Sequence, residues 1–237
     1  EWNEYAAGLV RDHPGRFGQF TMLPILDVEG SLREIEFSYD VLKADGINLM
    51  TNIGDKWLGD PYYDPIFAEL DRRKAVVYTH PAVPNCTVGV LPEIRDAVIE
   101  FGTDTTRAIT RLLFSGAAHR YPNIRWIWSH AGGTAPFLTE RLVRFAQNEK
   151  GMKERVPEGV LAYLKRFYYD TAQAAHPYAL ASLMRLVAIT QVVFGTDFPW
   201  RSAAETAQQL EDYGFSAEEL RAIDSGNIER LLPRWAR

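Results

Sequence analysis

One cysteine in 237 residues, Cys86, leaves the chain no internal disulfide. The fold must therefore rest on a buried apolar core, and the composition fits a reducing compartment such as the cytoplasm. Nothing beside Cys86 would lower its pKa, so it reads as a plain loop thiol rather than a nucleophile. Paired cysteines for a structural zinc are missing as well. No apolar run approaches the ~18 residues that a membrane span needs, and no signal peptide is visible. Basic runs are also absent: the 26 Lys and Arg are scattered, and 31 Asp and Glu bring the net charge to −5. A nucleic-acid surface needs clustered cations, so that class of partner is excluded. There is no Gly-x-Gly-x-x-Gly or phosphate loop for a nucleotide, and no Gly-x-Ser-x-Gly nucleophile elbow.

What is present is an alternation of strand and helix signals over a length that suits one large α/β domain, here residues 1–237. Six short apolar or β-branched runs read as strands: Gly18 to Leu26, Ile47 to Thr51, Ala75 to Thr79, Ile124 to Ser129, Phe167 to Thr171 and Gln191 to Thr196. Most are apolar on both faces, as a strand between a barrel interior and an outer helix layer must be. Leu32, Ile35, Tyr39 and Leu42 form one helical stripe, and Ile109, Leu112, Leu113 and Ala117 another. Asp64-Pro65 predicts an N-cap followed by proline at the first helical position. Ser216 to Glu219 predicts a capping box, opening a helical tail to Leu232 that closes one end of the barrel. The fold class expected is α/β, a (β/α)8 barrel of parallel strands with right-handed crossovers. Two long excursions, from His80 to about Thr103 and from His130 to about Phe167, leave strand C-termini, where barrel enzymes carry their functional loops.

Three strand ends share one form: an apolar run, a metal-capable side chain, then a turn. They are Thr79-His80-Pro81, Ser129-His130-Ala131-Gly132-Gly133 and Thr196-Asp197-Phe198-Pro199-Trp200. Singly, a histidine at a strand end is more often a hydrogen-bonded structural residue, and an aspartate before Phe-Pro can simply cap a turn. Together, at parallel strand ends, His80, His130 and Asp197 would point into one mouth and suit a divalent ion. The other histidines read differently: His13 as a cap, His119 as a surface residue, and His176 as the N-terminal turn of a helix, with a route to the pocket as its alternative. Asp170, at another strand end, reads either as structural or as an acceptor fixing a histidine tautomer.

Tyr78-Thr79-His80-Pro81, Ser129-His130-Ala131-Gly132-Gly133 with Pro136-Phe137, Phe167 to Ala172, and Phe194-Gly195-Thr196-Asp197-Phe198-Pro199 together resemble amidohydrolase family 2. Its members include aminocarboxymuconate-semialdehyde, γ-resorcylate, 5-carboxyvanillate and 6-methylsalicylate decarboxylases. The resemblance spans essentially the whole chain. It implies His80 as a metal ligand after the fifth barrel strand and His130 near the metal as acid/base or electrostatic partner. Asp197 would be a ligand after the eighth strand, and in some members a proton donor. Arg141 falls where aminocarboxymuconate-semialdehyde decarboxylase carries an arginine that reaches the neighbouring subunit's site; a solvated helix charge is its alternative. A homodimer is implied with it. The family also opens with a strand bearing His-x-His or Glu-x-His, and no such pair occurs here. The six strands then map onto strands three to eight, which implies that roughly 70–100 preceding residues are absent and that the chain as given binds metal weakly.

The expected activity is non-oxidative decarboxylation of a small aromatic or unsaturated carboxylic acid, with Asp197 or a group activated by His130 delivering the proton. Zn²⁺ is the first expectation for the metal and Mn²⁺ the second. Trp57, Phe198 and Trp200 are candidates to wall an apolar substrate pocket. A hydrolase acting on a lactone, ester or amide through the same ligands is the alternative, and a non-catalytic binding module the third reading.

Overall fold

In the computed structural model, which describes residues 1–236, all six expected strands form and pair in a single parallel sheet. In chain order the strands are β1 (Phe20–Met22), β2 (Gly46–Met50), β3 (Asn52–Ile53), β4 (Lys56–Trp57), β5 (Val76–His80), β6 (Arg125–Trp128), β7 (Tyr168–Asp170) and β8 (Val192–Val193). The parallel sheet runs β1-β2-β5-β6-β7-β8, so each neighbour in space is the next long strand in sequence. The longer helices between them are α1 (Trp2–Asp12), α2 (Val28–Glu36), α3 (Asp64–Arg72), α4 (Glu100–Phe114), α5 (Ala117–Arg120) and α6 (Ala135–Asn148). They continue with α7 (Met152–Arg155), α8 (Val160–Arg166), α9 (Pro177–Leu186), α10 (Ala203–Tyr213), α11 (Ala217–Arg221) and α12 (Asn227–Leu231). None of these helices is long and apolar enough to cross a membrane.

Alternation along the strands sorts the core into two faces. Ile47, Leu49, Val77, Trp126, Trp128, Tyr169 and Val192 pack with the helices in the main cluster. Trp126 and Trp128 stack at 5.7 Å, and Phe67 of α3 meets Trp126 edge-on at 5.5 Å, tying the helix layer to β6. Val76, Ile127 and Val193 point the other way, onto the concave face, with Phe20, Tyr78 and Tyr168. Side chains of both sets are apolar because both faces of each strand are covered.

The C-terminal tail behaves as expected. Ser216 and Glu219 make a reciprocal capping box at the start of α11. Leu231 then packs on Val76, Ile127 and Val193, and Arg125, the first residue of β6, donates to its carbonyl at 3.1 Å. The tail therefore closes the N-terminal end of the strands. Asn227, 1% exposed, fastens it by donating to the carbonyls of Ile189 (2.7 Å) and Val192 (2.6 Å).

Two local expectations shift, and one element is new. Asp64 is the first residue of α3 and not its cap, because the preceding Asp60-Pro61 signal acts first. Asp60 accepts the N–H of Tyr62 and starts a short 3-10 turn over Pro61–Tyr63 that sinks Tyr63 into the core. The last strand is shorter than its apolar run. Beyond Val193 the Phe194 N–H turns to the carbonyl of Ile223, and the Gly195 N–H pairs with the Thr171 hydroxyl. The antiparallel hairpin of β3 and β4 was not expected. Its Gly54-Asp55 turn has φ of 58° and 60°, the two left-handed positions that a tight hairpin of this hand requires.

Replacing Asn227 by alanine leaves two buried carbonyls without their donors. The expected loss of unfolding free energy is about 2 kcal/mol by urea titration, with an unchanged slope.

Candidate metal centre

Because the strands are parallel, the C-terminal ends of β5, β6 and β8 open on the same rim. His80 is the last residue of β5, His130 begins the turn after β6, and Asp197 lies four residues past β8. The structure brings the three together: one ligand atom from each can be chosen so that all lie within 4.8 Å of one another. His80 Nε2 is 3.4 Å from Asp197 Oδ1, and His130 Nε2 is 3.6 Å from Asp197 Oδ2. The two imidazoles meet edge to face with centroids 5.3 Å apart.

The protonation pattern favours a cation between them. His80 Nδ1 lies 3.0 Å from the carbonyl of Pro81, which can only accept, so that nitrogen carries a proton and Nε2 is the ring atom turned toward Asp197. Burial pushes the His130 imidazole well below the ordinary histidine range, overcoming the pull of Asp197, so its ring is neutral. Its Nε2 is buried with no hydrogen-bond partner among the described residues. A buried ring nitrogen aimed at a carboxylate and another imidazole, with nothing to bond, suits metal ligation.

Backbone conformation sets these side chains in place. His130, Ala131, Gln173 and Asp197 all have φ between 53° and 63°, where residues with a Cβ are rare. Each such residue costs on the order of 1 kcal/mol or more, and clusters of them mark functional sites. The His130 turn is held from below by Asp170, which is fully buried and accepts the His130 N–H (2.7 Å), the Ala172 N–H (3.0 Å) and the Tyr78 hydroxyl (2.8 Å). Asp170 therefore fixes the backbone of a site histidine and not its tautomer. Burial pushes its carboxyl up to about 7, and the three donors pull the other way. Gln173 donates to Asp197 Oδ2 at 3.1 Å and so orients that carboxylate.

A cavity of about 690 Å³ opens over the three residues. Ala97, Val98, Phe101 and Trp200 give it apolar walls, and Arg95 brings a cation to its lining. Trp200, 81% exposed, lines the cavity mouth. Phe198 does not: it is 79% exposed and off the cavity, because the turn after Asp197 throws it outward. Trp57 is also elsewhere, its indole N–H bonded to Asp104 at 2.5 Å. Arg141 lies on the exposed face of α6, its guanidinium 4.9 Å from the Phe145 ring centroid, and does not enter its own chain's cavity. His176 caps α9 by accepting the Ala179 N–H, His13 ends α1, and the exposed His119 bonds Tyr163. Arg95 and Gln173 were not singled out from the sequence. Gln173 follows Asp170 by three residues at a strand end, which was the available signal; Arg95 lies in a loop without periodicity.

The sequence model of a family described as amidohydrolase matches residues 1–234. The chain is 34% identical over 238 residues to a 6-methylsalicylic acid decarboxylase of Penicillium expansum, covering 98% of this chain and 74% of that protein. The solved 2,6-dihydroxybenzoate decarboxylase from Rhizobium has the same fold, with a TM-score of 0.87 at 20% identity over 98% of this chain and 76% of that one. So has a 5-carboxyvanillate decarboxylase from Novosphingobium aromaticivorans, solved with manganese and 4-hydroxy-3-methoxy-5-nitrobenzoic acid: TM-score 0.86, 23% identity, 98% of this chain and 68% of that one.

Substituting Asp170 by alanine strands the His130 N–H and the Tyr78 hydroxyl in the interior. We expect a loss of at least about 2 kcal/mol in unfolding free energy, measured by denaturant titration; a loss below about 0.5 kcal/mol would show the turn to be held by other means.

Proposed function

The chain belongs to the amidohydrolase family, and we propose that it is a metal-dependent enzyme that removes CO₂ from a small aromatic carboxylic acid without oxidation. The observation that carries this reading is the convergence of His80, His130 and Asp197 under one cavity, with a buried imidazole nitrogen lacking any other partner among the described residues. Relatives that are decarboxylases of aromatic acids favour it over hydrolysis of a lactone, ester or amide, and an assembled ligand set argues against a non-catalytic module.

His80 Nε2, His130 Nε2 and an Asp197 oxygen would hold the ion. A divalent cation there supplies Lewis acidity toward the substrate's carboxylate or a neighbouring hydroxyl. Manganese in a related decarboxylase structure supports Mn²⁺, and the mixed nitrogen and oxygen donors suit Zn²⁺ as well. Arg95 pairs with the incoming anion at the cavity lining. Phe101 and the exposed Val98 and Trp200 give the ring apolar surface to lie against. Asp197, oriented by Gln173, takes up the proton of the substrate's acid group and delivers it to the ring carbon that bears the resulting carboxylate. The bond from that carbon to the carboxyl then breaks, its electron pair restores the aromatic ring, and CO₂ leaves. The lone cysteine is exposed and free, in keeping with a cytoplasmic setting. Phe137, Arg141 and Phe145 recur every fourth residue on the exposed face of α6, which supports a homodimer in which Arg141 serves the neighbouring subunit.

The test is to load the full-length protein with Mn²⁺ or Zn²⁺ and measure CO₂ and phenol release from 6-methylsalicylate, 2,6-dihydroxybenzoate and 5-carboxyvanillate. Turnover of at least one is expected, falling about 10³-fold or more in Asp197→Asn. Full activity in that variant, or turnover of lactones alone, would overturn the mechanism. Arg95→Ala should raise KM about tenfold with kcat nearly kept, the loss of about 1.4 kcal/mol of binding.

A further inference from the structure

Asp104 on α4 is fully buried, lies outside the cavity lining, and makes no ion pair with a cation among the described residues. A carboxylate in that position is costly unless hydrogen bonds replace its water. Four donors do so. Its Oδ2 accepts from the Thr51 hydroxyl, from Asn52 Nδ2 (2.8 Å) and from the Ala82 N–H (3.3 Å), and its Oδ1 accepts from Trp57 Nε1 (2.5 Å).

Two of these donors flank His80. The Thr51 N–H donates to the His80 carbonyl at 2.9 Å, and its hydroxyl also lies 3.3 Å from the Ala82 N–H. The Ala82 N–H and the Pro81 carbonyl are opposite ends of one peptide plane. The N–H end faces Asp104, and the carbonyl end takes the proton of His80 Nδ1 at 3.0 Å. A planar peptide cannot turn one end without turning the other.

We infer that Asp104 is a positioning residue for His80: by orienting the Pro81–Ala82 peptide it keeps the proton on His80 Nδ1 and so presents Nε2 to a divalent ion. The metal part of this rests on the reading of His80 as a ligand; the tautomer part does not. The hydrogen bond through the peptide acts on the ring as a carboxylate bonded directly to a ligating histidine would. Trp57 bonds the other oxygen, and its side chain makes no hydrogen bond to His80, Pro81 or Ala82 among the described residues. It serves as the internal control.

The experiment compares the full-length wild-type protein with its Asp104→Asn, Thr51→Val and Trp57→Phe variants. Three quantities are read: the His80 ring ¹⁵N resonances of the metal-free protein, which report the tautomer; the Kd for Mn²⁺ alone by calorimetry; and Tm. The wild type should show the Nδ1–H form. Asp104→Asn should mix the tautomers and weaken Mn²⁺ binding about tenfold or more. Thr51→Val should move both in the same direction by less, and Trp57→Phe should lower Tm with tautomer and affinity unchanged. A folded Asp104→Asn that keeps the wild-type tautomer and Kd overturns the inference. If Asp104→Asn does not fold, Thr51→Val and Trp57→Phe decide: equal effects of the two on the tautomer overturn it. Wild-type protein that binds no Mn²⁺ would defeat the metal reading, and the tautomer pattern would still decide the role of Asp104. Mn²⁺ binding without CO₂ release would defeat only the reaction.

Discussion

Parallel pairing obliges the six strands of this sheet to finish on one rim, and the register decides what stands there. Met50 is opposite His80, Thr79 opposite Trp128, Trp128 opposite Tyr169, and Asp170 opposite Val193. A slip of one residue in β5 would turn His80 toward the helices and put Thr79 on the concave side. Register is held because the outward residues, Val77, Trp126, Trp128 and Tyr169, are large and fully committed to the helix layer. The chemistry at the rim is thus secured by apolar burial on the opposite face.

Two buried carboxylates then convert that coarse placement into geometry. Asp170 reaches across β6 and β7 to hold the backbone of His130, and Asp104 reaches from α4 to the segment after His80. Among the described residues neither is offset by a buried cation; both are surrounded by N–H and O–H donors. Such an arrangement is worth its desolvation only where the donors need fixing, and here they lie beside two of the converging side chains. The left-handed backbone at His130, Gln173 and Asp197 belongs to the same economy of strain, tolerated because the surrounding bonds determine it.

The strands, the capping box at Ser216 and the three converging residues were legible from the sequence, because each depends on local pattern: apolar runs of strand length, a Ser-x-x-Glu spacing, polar residues ending apolar runs. The remainder depends on dihedral angles that composition does not encode. Phe198 and Trp200 are near neighbours with similar chemistry, yet only Trp200 lines the cavity, a difference that apolar pattern alone does not carry. Arg95 enters the cavity through a loop of short 3-10 turns, where no periodicity points to a face. Asp104 lies in α4 with no motif around it, and the donors that surround it come from distant segments: Thr51, the β3–β4 hairpin and the stretch after His80.

The turn at His130 has a bearing on how such a protein could change its repertoire. Gly132 faces the Tyr169 ring, where an added Cβ would sit 2.7 Å from a ring carbon, and Gly133 abuts the Gly102 carbonyl of α4. No L-amino acid fits either place, so this stretch is soldered to two neighbouring elements and offers diversification almost no latitude. The segment from Pro84 to Ile99 is the reverse: solvent-facing, built of short turns, and contributing Arg95, Ala97 and Val98 to the cavity. Selection for new acids, in nature or in a library, should therefore accumulate its changes in that arch and leave the glycine hinge untouched.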